Sequence, residues 1–260
     1  MRKKAKHAKR SKKSNKKIRL FLIIIFICGI FYISNYFYND SKNKKENNNI
    51  LSEIKIDKTE ITQSKTEKML QIEELQKQNE EVIGWLEVDG TNINYPVLQG
   101  TDNDYYVTHN YKKEYSKNGS IFLDKNYDWT IPSSNLLLYG HNNKNGIMFA
   151  ELLKYAQEDF YKKHTEIKFV TSTEESNYEI LAVFYSRVYY KREQNVFRYY
   201  YFVNANNEQE YNEFVNNAKK ASIYDTGVTA QYGEQLLTLS TCEYSQEDGR
   251  FVVVAKKIEK

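Results

Sequence analysis

A run of nineteen uncharged, mostly apolar residues near the amino terminus constrains this chain more than any other feature. It extends from Leu20 to Tyr38 and reads LFLIIIFICGIFYISNYFY. A helix of this length, at about 1.5 Å per residue, spans roughly the hydrocarbon core of a bilayer. A cleaved signal peptide is the alternative, but no A-x-A-like cleavage site follows the run. We therefore expect residues 20–38 to form a single transmembrane signal anchor.

Charge is distributed unevenly about this segment. Eleven of the 38 Lys and Arg residues precede Leu20, where there is no acidic residue, so the other 27 stand against 34 Asp and Glu, a net charge of −7. The basic cluster predicts a cytoplasmic tail over residues 1–19 and an extracellular location for the rest of the chain. A uniformly basic nucleic-acid-binding protein is excluded, and nucleic acid is not an expected partner; binding by the tail alone is the weaker alternative.

Two segments connect the anchor to the remainder of the chain. Residues 39–63 are rich in Asn and Lys and predict a polar stalk. A capping-box pattern, Ser64 to Glu67, then precedes apolar residues at helical spacing, which predicts a helix over about 64–82. We expect residues 64–260 to form one folded domain that begins with this helix.

Short strand-like runs dominate the chain after Gly84. Helix-like patterns occur at residues 146–157 and 207–221 only, so helices do not alternate with strands and a doubly wound sheet is excluded. The pattern predicts a mainly β domain, either a barrel or a sandwich. The predicted strands are Ile93–Leu98, Ser120–Leu123, Asn135–Tyr139, Ile167–Val170, Tyr178–Tyr190, Gln235–Thr241 and Arg250–Ile258.

The chain has two cysteines, and only one lies in the predicted extracellular domain. Cys28 falls within the membrane segment, whereas Cys242 ends a predicted strand and has no partner for a disulfide. A catalytic thiol and an inert buried cysteine are equally compatible with this placement. Seven polar or turn-type residues separate Cys242 from Arg250, which opens the next strand, so a hairpin would place the two opposite each other. The guanidinium would then favour a thiolate and donate to an oxyanion, or it would pair with an acidic residue of the turn, such as Glu243.

A thiol nucleophile needs a proton donor and acceptor, and four histidines are available. His7 lies in the cytoplasmic tail, while His109 and His164 lie in polar, surface-like segments. His141 ends the apolar run NLLLYG and is followed by turn residues. A histidine at the rim of a core strand suits general acid–base work near neutral pH, although a hydrogen-bonded structural histidine is the alternative.

The sequence gives no reason to expect a metal or an organic cofactor. It lacks an H-E-x-x-H motif, a pair of histidines at helical spacing and a cysteine pair. It also lacks a glycine-rich phosphate loop and an acidic calcium loop with a terminal glutamate.

With these residues in place, the chain resembles the sortases, the membrane-anchored cysteine transpeptidases of Gram-positive bacteria. The T-L-x-T-C signature followed by Arg is matched by TLSTC at residues 238–242 and by Arg250, and the strand-end G-H motif by Gly140 and His141. The resemblance covers the chain from about Asn79 onward. Details similar to class B are VIGWL at 82–86, NYPV at 94–97, GSIFLD at 119–124, YGHNNK at 139–144 and the helical pattern at 207–221.

The resemblance implies an eight-stranded sortase-type β-barrel with an N-terminal helix and a helical insert before the cysteine strand. It implies that Cys242 attacks the Thr carbonyl of a sorting motif and holds the acyl group as a thioester. His141 would then protonate the leaving amine and deprotonate the incoming one, and Arg250 would stabilise the oxyanion. Ser240 and Glu243 match positions beside the substrate groove.

The expected partners are surface proteins with a C-terminal sorting motif and peptidoglycan or its lipid-linked precursor. Motifs of the N-P-x-T-x and S/N-P-x-T-G types are both compatible with class B, and the wall amine is left open. Two alternatives remain: a pilin-polymerising sortase, and a non-enzymatic, membrane-tethered domain that binds the wall.

Overall fold

The computed structural model describes residues 2–54, 65–129 and 135–259. The chain divides into two compact units, Met1–Asn48 and Asn49–Lys260. Helix α1 (Arg2–Glu53) contains the apolar run and continues beyond it, so the predicted stalk is helical as far as Glu53. Residues 55–63 of that stalk lie outside the described residues. Within α1, Ile18–Tyr38 has the length and apolar composition to cross a membrane, a test that a signal sequence would also meet.

Helix α2 (Glu67–Gln78) is the predicted helix before the barrel, with different ends. Its N-cap is Thr66, whose side chain accepts a hydrogen bond from the Met69 N–H, and Ser64 lies outside the described residues. The predicted end at residue 82 was wrong, because the chain is already extended at Asn79 and enters a strand at Val82. The apolar face of α2 is buried against the barrel.

Eight strands form a closed barrel, in the order β1-β2-β3-β4-β7-β8-β6-β5 around its circumference. The mainly β architecture and its eight-stranded barrel are therefore confirmed. Two neighbouring pairs are parallel, β2 with β3 and β4 with β7, and the other neighbours are antiparallel. The strands are β1 (Val82–Val88), β2 (Asn94–Leu98), β3 (Ile121–Leu123), β4 (Asn135–Tyr139), β5 (Glu166–Val170), β6 (Glu175–Arg187), β7 (Leu236–Cys242) and β8 (Gly249–Lys257).

The two helical patterns inside the domain have different outcomes. The insert is helix α4 (Glu208–Ala221), where the Asn207 side chain caps the first turn by accepting from the Glu210 N–H. The predicted helix at 146–157 is instead a 3-10 helix, Ala150–Ala156, followed by the short helix α3 (Glu158–Tyr161). Met148 has a φ of +56°, which a right-handed α-helix does not accommodate, so no α-helix can begin at residue 146 and continue through Met148.

Buried tyrosines make the barrel sensitive to alkali. Burial raises the pKa of Tyr155, Tyr178 and Tyr211 well above the ordinary value of 10.0. Above about pH 10 the unfolded chain therefore releases phenolic protons that the folded chain retains, and the free energy of unfolding decreases as pH rises. Below that pH these residues add no pH dependence.

We predict that tyrosinate absorbance in an alkaline titration rises in two steps. Exposed tyrosines should ionise first with the fold intact, and the buried ones only as the far-ultraviolet circular dichroism is lost. Complete ionisation of the tyrosines with the native dichroism preserved would contradict the prediction.

Candidate active site

The parallel pair β4 and β7 brings His141 and Cys242 to the same edge of the barrel. Tyr139 pairs with Ser240 at the end of the ladder, and His141 and Cys242 each lie two residues further on. The contact continues past the strand end, since the Gly140 N–H donates to the Ser240 carbonyl at 3.2 Å and Thr241 Oγ1 donates to the Gly140 carbonyl at 2.8 Å. Residues 101 positions apart thus become neighbours.

Strands β7 and β8 form the predicted hairpin, and Cys242 pairs with Arg250 in its register. The Glu243 N–H donates to the Gly249 carbonyl at 2.9 Å and closes the turn. A Cβ on Gly249 would lie 2.3 Å from the Glu243 carbonyl oxygen, so the turn requires glycine there. The predicted apposition of Cys242 and Arg250 is confirmed.

His141, Cys242 and Arg250 line one cleft of about 380 Å³. Cys242 is half-buried and forms no disulfide. The other residues that line the cleft are Asn103, Asp104, Val107, Phe122, Tyr139, Gly140, Val188, Tyr199, Tyr200, Ser240 and Thr241. The cleft therefore combines a thiol, an imidazole and a guanidinium with a largely apolar and aromatic wall.

A backbone carbonyl orients the imidazole of His141. Nε2 lies 2.8 Å from the Val107 carbonyl oxygen. Because a carbonyl only accepts hydrogen bonds, Nε2 carries the proton and donates it. No described residue hydrogen-bonds to Nδ1.

The other two histidines of the domain have separate roles. His164 Nδ1 pairs with Asp89 at 2.8 Å, and the ring of His109 stacks on Tyr105 with a centroid separation of 4.0 Å. Neither lines the cleft.

Gly119 determines where the Val107 carbonyl lies. It has a φ of +58°, and a Cβ there would lie 2.4 Å from the Val107 oxygen. The next residue, Ser120, donates its N–H to the Tyr106 carbonyl at 2.9 Å. The segment that accepts the His141 hydrogen bond is therefore packed against a glycine that no larger residue could replace without moving it.

Asn142 links the histidine segment to the cysteine segment. Its Nδ2 donates to the Cys242 carbonyl at 3.0 Å, while the Tyr244 hydroxyl donates to the Asn142 carbonyl at 3.1 Å. These two bonds run in opposite directions between the same two segments. They limit the relative movement of His141 and Cys242.

Among the described residues, the guanidinium of Arg250 hydrogen-bonds only to backbone oxygens. Nη1 donates to the carbonyls of Asp248 and Gly249, at 3.2 and 2.9 Å. It forms no salt bridge with a described carboxylate, so the alternative in which Arg250 pairs with an acidic residue of the turn is not observed. The positive charge of Arg250 also acts on Tyr199. Burial raises the pKa of the Tyr199 hydroxyl, and the nearby guanidinium lowers it by a smaller amount.

The two predicted groove residues, Ser240 and Glu243, lie in different surroundings. Ser240 is buried, lines the cleft and shares a 2.7 Å hydrogen bond with the Tyr199 hydroxyl. Glu243 does not line the cleft; its carboxylate accepts the Ser245 N–H at 3.0 and 3.1 Å within the hairpin turn. The structure thus brings Ser240 to the cleft and places Glu243 in the hairpin turn.

A buried carboxylate beneath the cleft was not anticipated. Asp124 is 2% exposed, and its Oδ2 accepts from the Tyr139 hydroxyl at 3.0 Å and from Asn103 Nδ2 at 2.9 Å. Its Oδ1 accepts the Asn126 N–H at 2.9 Å. Asp124 thereby fixes two residues of the cleft wall. The sequence signals for it were its position at the end of a strand and its place in the class B-like segment GSIFLD. Among the described residues no three His, Cys, Asp or Glu side chains converge as metal ligands.

We predict that Gly119→Ala changes the tautomer of His141. The new Cβ must displace the Val107 carbonyl, and the neutral imidazole then loses the acceptor that keeps its proton on Nε2. Ring-nitrogen chemical shifts of His141 should move from those of the Nε2–H form towards a mixture of both tautomers.

Gly227→Ala is the matched control. Gly227 also has a positive φ, of +73°, but a Cβ there meets nothing within 4 Å. Both variants introduce left-handed backbone strain that costs about 1–2 kcal/mol. Only Gly119→Ala should change the tautomer of the His141 imidazole. Identical His141 shifts in both variants would contradict the role assigned to Gly119.

Comparisons with known proteins agree with this geometry. A Sortase domain model matches residues 86–258. The chain is 32% identical to Sortase B of Listeria monocytogenes over 253 residues, which is 94% of this chain and 100% of that protein. It is 31% identical to Sortase B of Staphylococcus aureus over 244 residues, 92% of this chain and 94% of that protein.

Solved structures show the same fold. The crystal structure of sortase B from B. anthracis in complex with AAEK1 has a TM-score of 0.72 and 32% identity, covering 86% of this chain and 100% of that one. A Staphylococcus aureus sortase B-substrate complex has a TM-score of 0.72 and 28% identity, covering 85% and 99%. The chain therefore belongs to the sortase family, within class B, and is a cysteine transpeptidase of that type.

Proposed function

We propose that this protein cleaves the C-terminal sorting signal of a surface protein after Thr and joins the Thr carboxyl to an amine of the cell wall. The observation that supports this is the convergence of Cys242, His141 and Arg250 on one cleft. The reaction needs no external energy source, because the acyl group passes from a peptide bond to a thioester and then to a new amide.

Cys242 is the proposed nucleophile. Its sulfur attacks the Thr carbonyl carbon, and the C–N bond of the scissile peptide breaks as the C–S bond of the thioester forms. The position of Cys242 at the end of β7 supports this role, since the strand is anchored on both sides while the thiol reaches the cleft.

His141 is the proposed proton donor and acceptor. With Nε2 bound to the Val107 carbonyl, Nδ1 is the nitrogen that takes the proton of the Cys242 thiol, gives it to the leaving amine and later takes one from the incoming amine. One imidazole serves both steps because the two amines occupy the same side of the acyl carbon in turn.

Arg250 is the proposed oxyanion donor, by virtue of its place opposite Cys242 in the hairpin. Its present partners are two carbonyls of its own turn. We propose that it exchanges one of these for the oxygen of the tetrahedral intermediate, where negative charge develops. A charge-assisted bond to that oxygen is stronger than a bond to a neutral carbonyl.

The wall of the cleft is suited to an extended peptide with few charges. Phe122, Val188, Tyr199 and Tyr200 contribute apolar and aromatic surface, and Ser240 contributes a hydroxyl. We propose sorting motifs of the N-P-x-T-x or S/N-P-x-T-G type as the donor substrate, with Ser240 near the bound peptide and Glu243 in a lesser role.

For location, we propose a single-pass membrane protein with residues 1–19 in the cytoplasm, residues 20–38 in the bilayer and the barrel outside, where peptidoglycan or its lipid-linked precursor supplies the amine. The apolar segment of α1 and the basic tail support this orientation.

Protease added to intact protoplasts should remove the barrel and leave a membrane-bound fragment. A barrel that is cut only after lysis would contradict the orientation, and release of the whole chain by alkaline carbonate would contradict the anchor.

A pilin-polymerising sortase is the alternative within the family, and it differs in the acceptor, a pilin Lys in place of a wall amine. Both relatives are named Sortase B, which supports class B over a pilin-polymerising class. Incubating the enzyme with a sorting-motif peptide and either wall-type amines or pilin subunits would separate the two.

We predict that the full chain in detergent cleaves quenched fluorogenic peptides containing N-P-Q-T-N or S-P-K-T-G after Thr. Cys242→Ala should abolish cleavage, and Arg250→Gln should lower turnover by about 10²–10³-fold, as for the loss of one oxyanion donor. Mass spectrometry should detect a peptide thioester on the wild-type chain.

The matched histidine variants test the assignment of the proton carrier. His141→Gln should remove activity, whereas His164→Gln, which removes the contacts of His164 with Asp89 and Phe160 outside the cleft, should retain it. Cleavage by Cys242→Ala, or equal loss in both histidine variants, would refute the assignment.

A further inference from the structure

We propose that Asp104 binds the ammonium group of the acceptor amine, a proposal that rests on the transpeptidase function above. The acceptor is a primary aliphatic amine of the kind carried by a Lys-like side chain. Asp104 would place that group beside His141 before it attacks the thioester.

Asp104 differs from the acidic residues around it. It lines the cleft, it is exposed, and its carboxylate has no hydrogen bond or ion pair with any described residue. By contrast, Asp102 Oδ1 accepts the N–H groups of Asp104 and Tyr105, at 2.8 and 2.7 Å, and Asp102 lies outside the cleft. The carboxylate of Asp124 is buried and already has its donors. Asp104 is thus the carboxylate of the described cleft that is available to a substrate.

The position of Asp104 is coupled to that of the imidazole. The Val107 N–H donates to the Asp104 carbonyl at 3.2 Å, and the Val107 carbonyl accepts from His141 Nε2 at 2.8 Å. Two hydrogen bonds in series therefore connect Asp104 to the proposed proton carrier.

The charges of the cleft match those of the reaction. Around the barrel the strands follow in the order β3, β4, β7 and β8. Asp104 lies in the segment before β3, and Arg250 lies on β8, so the strands of His141 and Cys242 are between them. A carboxylate thus lies on the His141 flank and a guanidinium on the Cys242 flank. Aminolysis of a thioester develops negative charge on the acyl oxygen and brings positive charge on the attacking amine, so each charge meets an opposite one.

The attack requires the amine to be concentrated and then deprotonated. A Lys-type amine has a pKa of about 10.4, so it reaches the cleft as an ammonium at neutral pH. It gives one proton to His141 Nδ1, its nitrogen bonds to the acyl carbon, and the C–S bond breaks. Of the two protons that the nitrogen loses in forming the amide, one ends on the Cys242 sulfur and one goes to solvent. Asp104 takes no proton and acts by attraction alone.

The test compares amide formation with hydrolysis of the same thioester. The full chain is loaded with a sorting-motif peptide, and the ratio of amide to acid product is measured against increasing concentrations of an N-acetyl-lysine amide acceptor and, separately, of hydroxylamine, which is largely uncharged near neutral pH. Asp104→Asn should raise the lysine concentration needed for half-maximal amide formation by roughly two- to five-fold, the range of an exposed ion pair. The ratio with hydroxylamine should be unchanged.

Asp102→Asn is the matched control, since it removes the same charge two residues away but outside the cleft, and the Asn side chain retains an acceptor oxygen. It should leave both ratios as in the wild type. An equal effect of Asp104→Asn on both nucleophiles, an effect of similar size in Asp102→Asn, or no effect on the lysine acceptor would each overturn the proposal.

The same experiment distinguishes failure of the Asp104 proposal from failure of the proposed transpeptidase function. If the wild-type chain forms no thioester with any sorting peptide, the proposed function fails. If the thioester forms and the wild type uses both acceptors, but Asp104→Asn changes neither ratio, the proposed function stands and only the role of Asp104 is wrong.

Discussion

The parallel pairing of β4 with β7 is the constraint on which the rest of the site depends. Parallel neighbours end at the same edge of a sheet, so two strands that are about 100 residues apart deliver a histidine and a cysteine to one place. The pairing is secure because its side chains are buried on both faces, with Leu136, Leu137 and Leu138 on β4 packed beside Leu236 and Leu237 on β7. Sliding the register by one residue would bury different side chains and separate the two catalytic candidates.

Backbone oxygens, rather than carboxylates, orient the two charged or chargeable partners of Cys242. His141 donates to the Val107 carbonyl, and Arg250 donates to the carbonyls of Asp248 and Gly249. A carbonyl fixes which imidazole nitrogen carries the proton without adding a full negative charge beside it. For Arg250 it also provides a partner that the oxyanion of the proposed mechanism would outcompete, since a charged acceptor binds a guanidinium more strongly than a neutral one.

Local pattern was enough to predict the parts of the site that are close in sequence. The seven residues between Cys242 and Arg250 permit little other than a hairpin, and Gly140 before His141 marks the rim of a core strand. The resemblance supplied the eight-stranded barrel and the joint roles of His141 and Cys242, which no local pattern contains. The β4–β7 pairing that brings those two residues together was found only in the structure. The hydrogen-bond partner of His141 and the aromatic wall of the cleft could not be predicted from the sequence. Val107, Tyr139 and Tyr199 come from separate segments, and only tertiary packing brings these together. The helix predicted at 146–157 failed because Met148 has a positive φ and forms an isolated bridge with Asn142, which the apolar pattern of the segment does not indicate.

Orientation by the main chain also determines where the site is vulnerable. A side-chain change at Val107 or Asp248 would leave its carbonyl in place, so the hydrogen bonds to His141 and Arg250 depend on the path of the backbone and not on those side chains. That path is set at close approaches which only glycine allows: Gly119 against the Val107 oxygen, and Gly249 against the Glu243 oxygen. A methyl group at Gly249 would push apart the strands that carry Cys242 and Arg250, although it touches neither side chain. Two glycines that look like ordinary turn residues in the sequence therefore control the geometry of Cys242, His141 and Arg250.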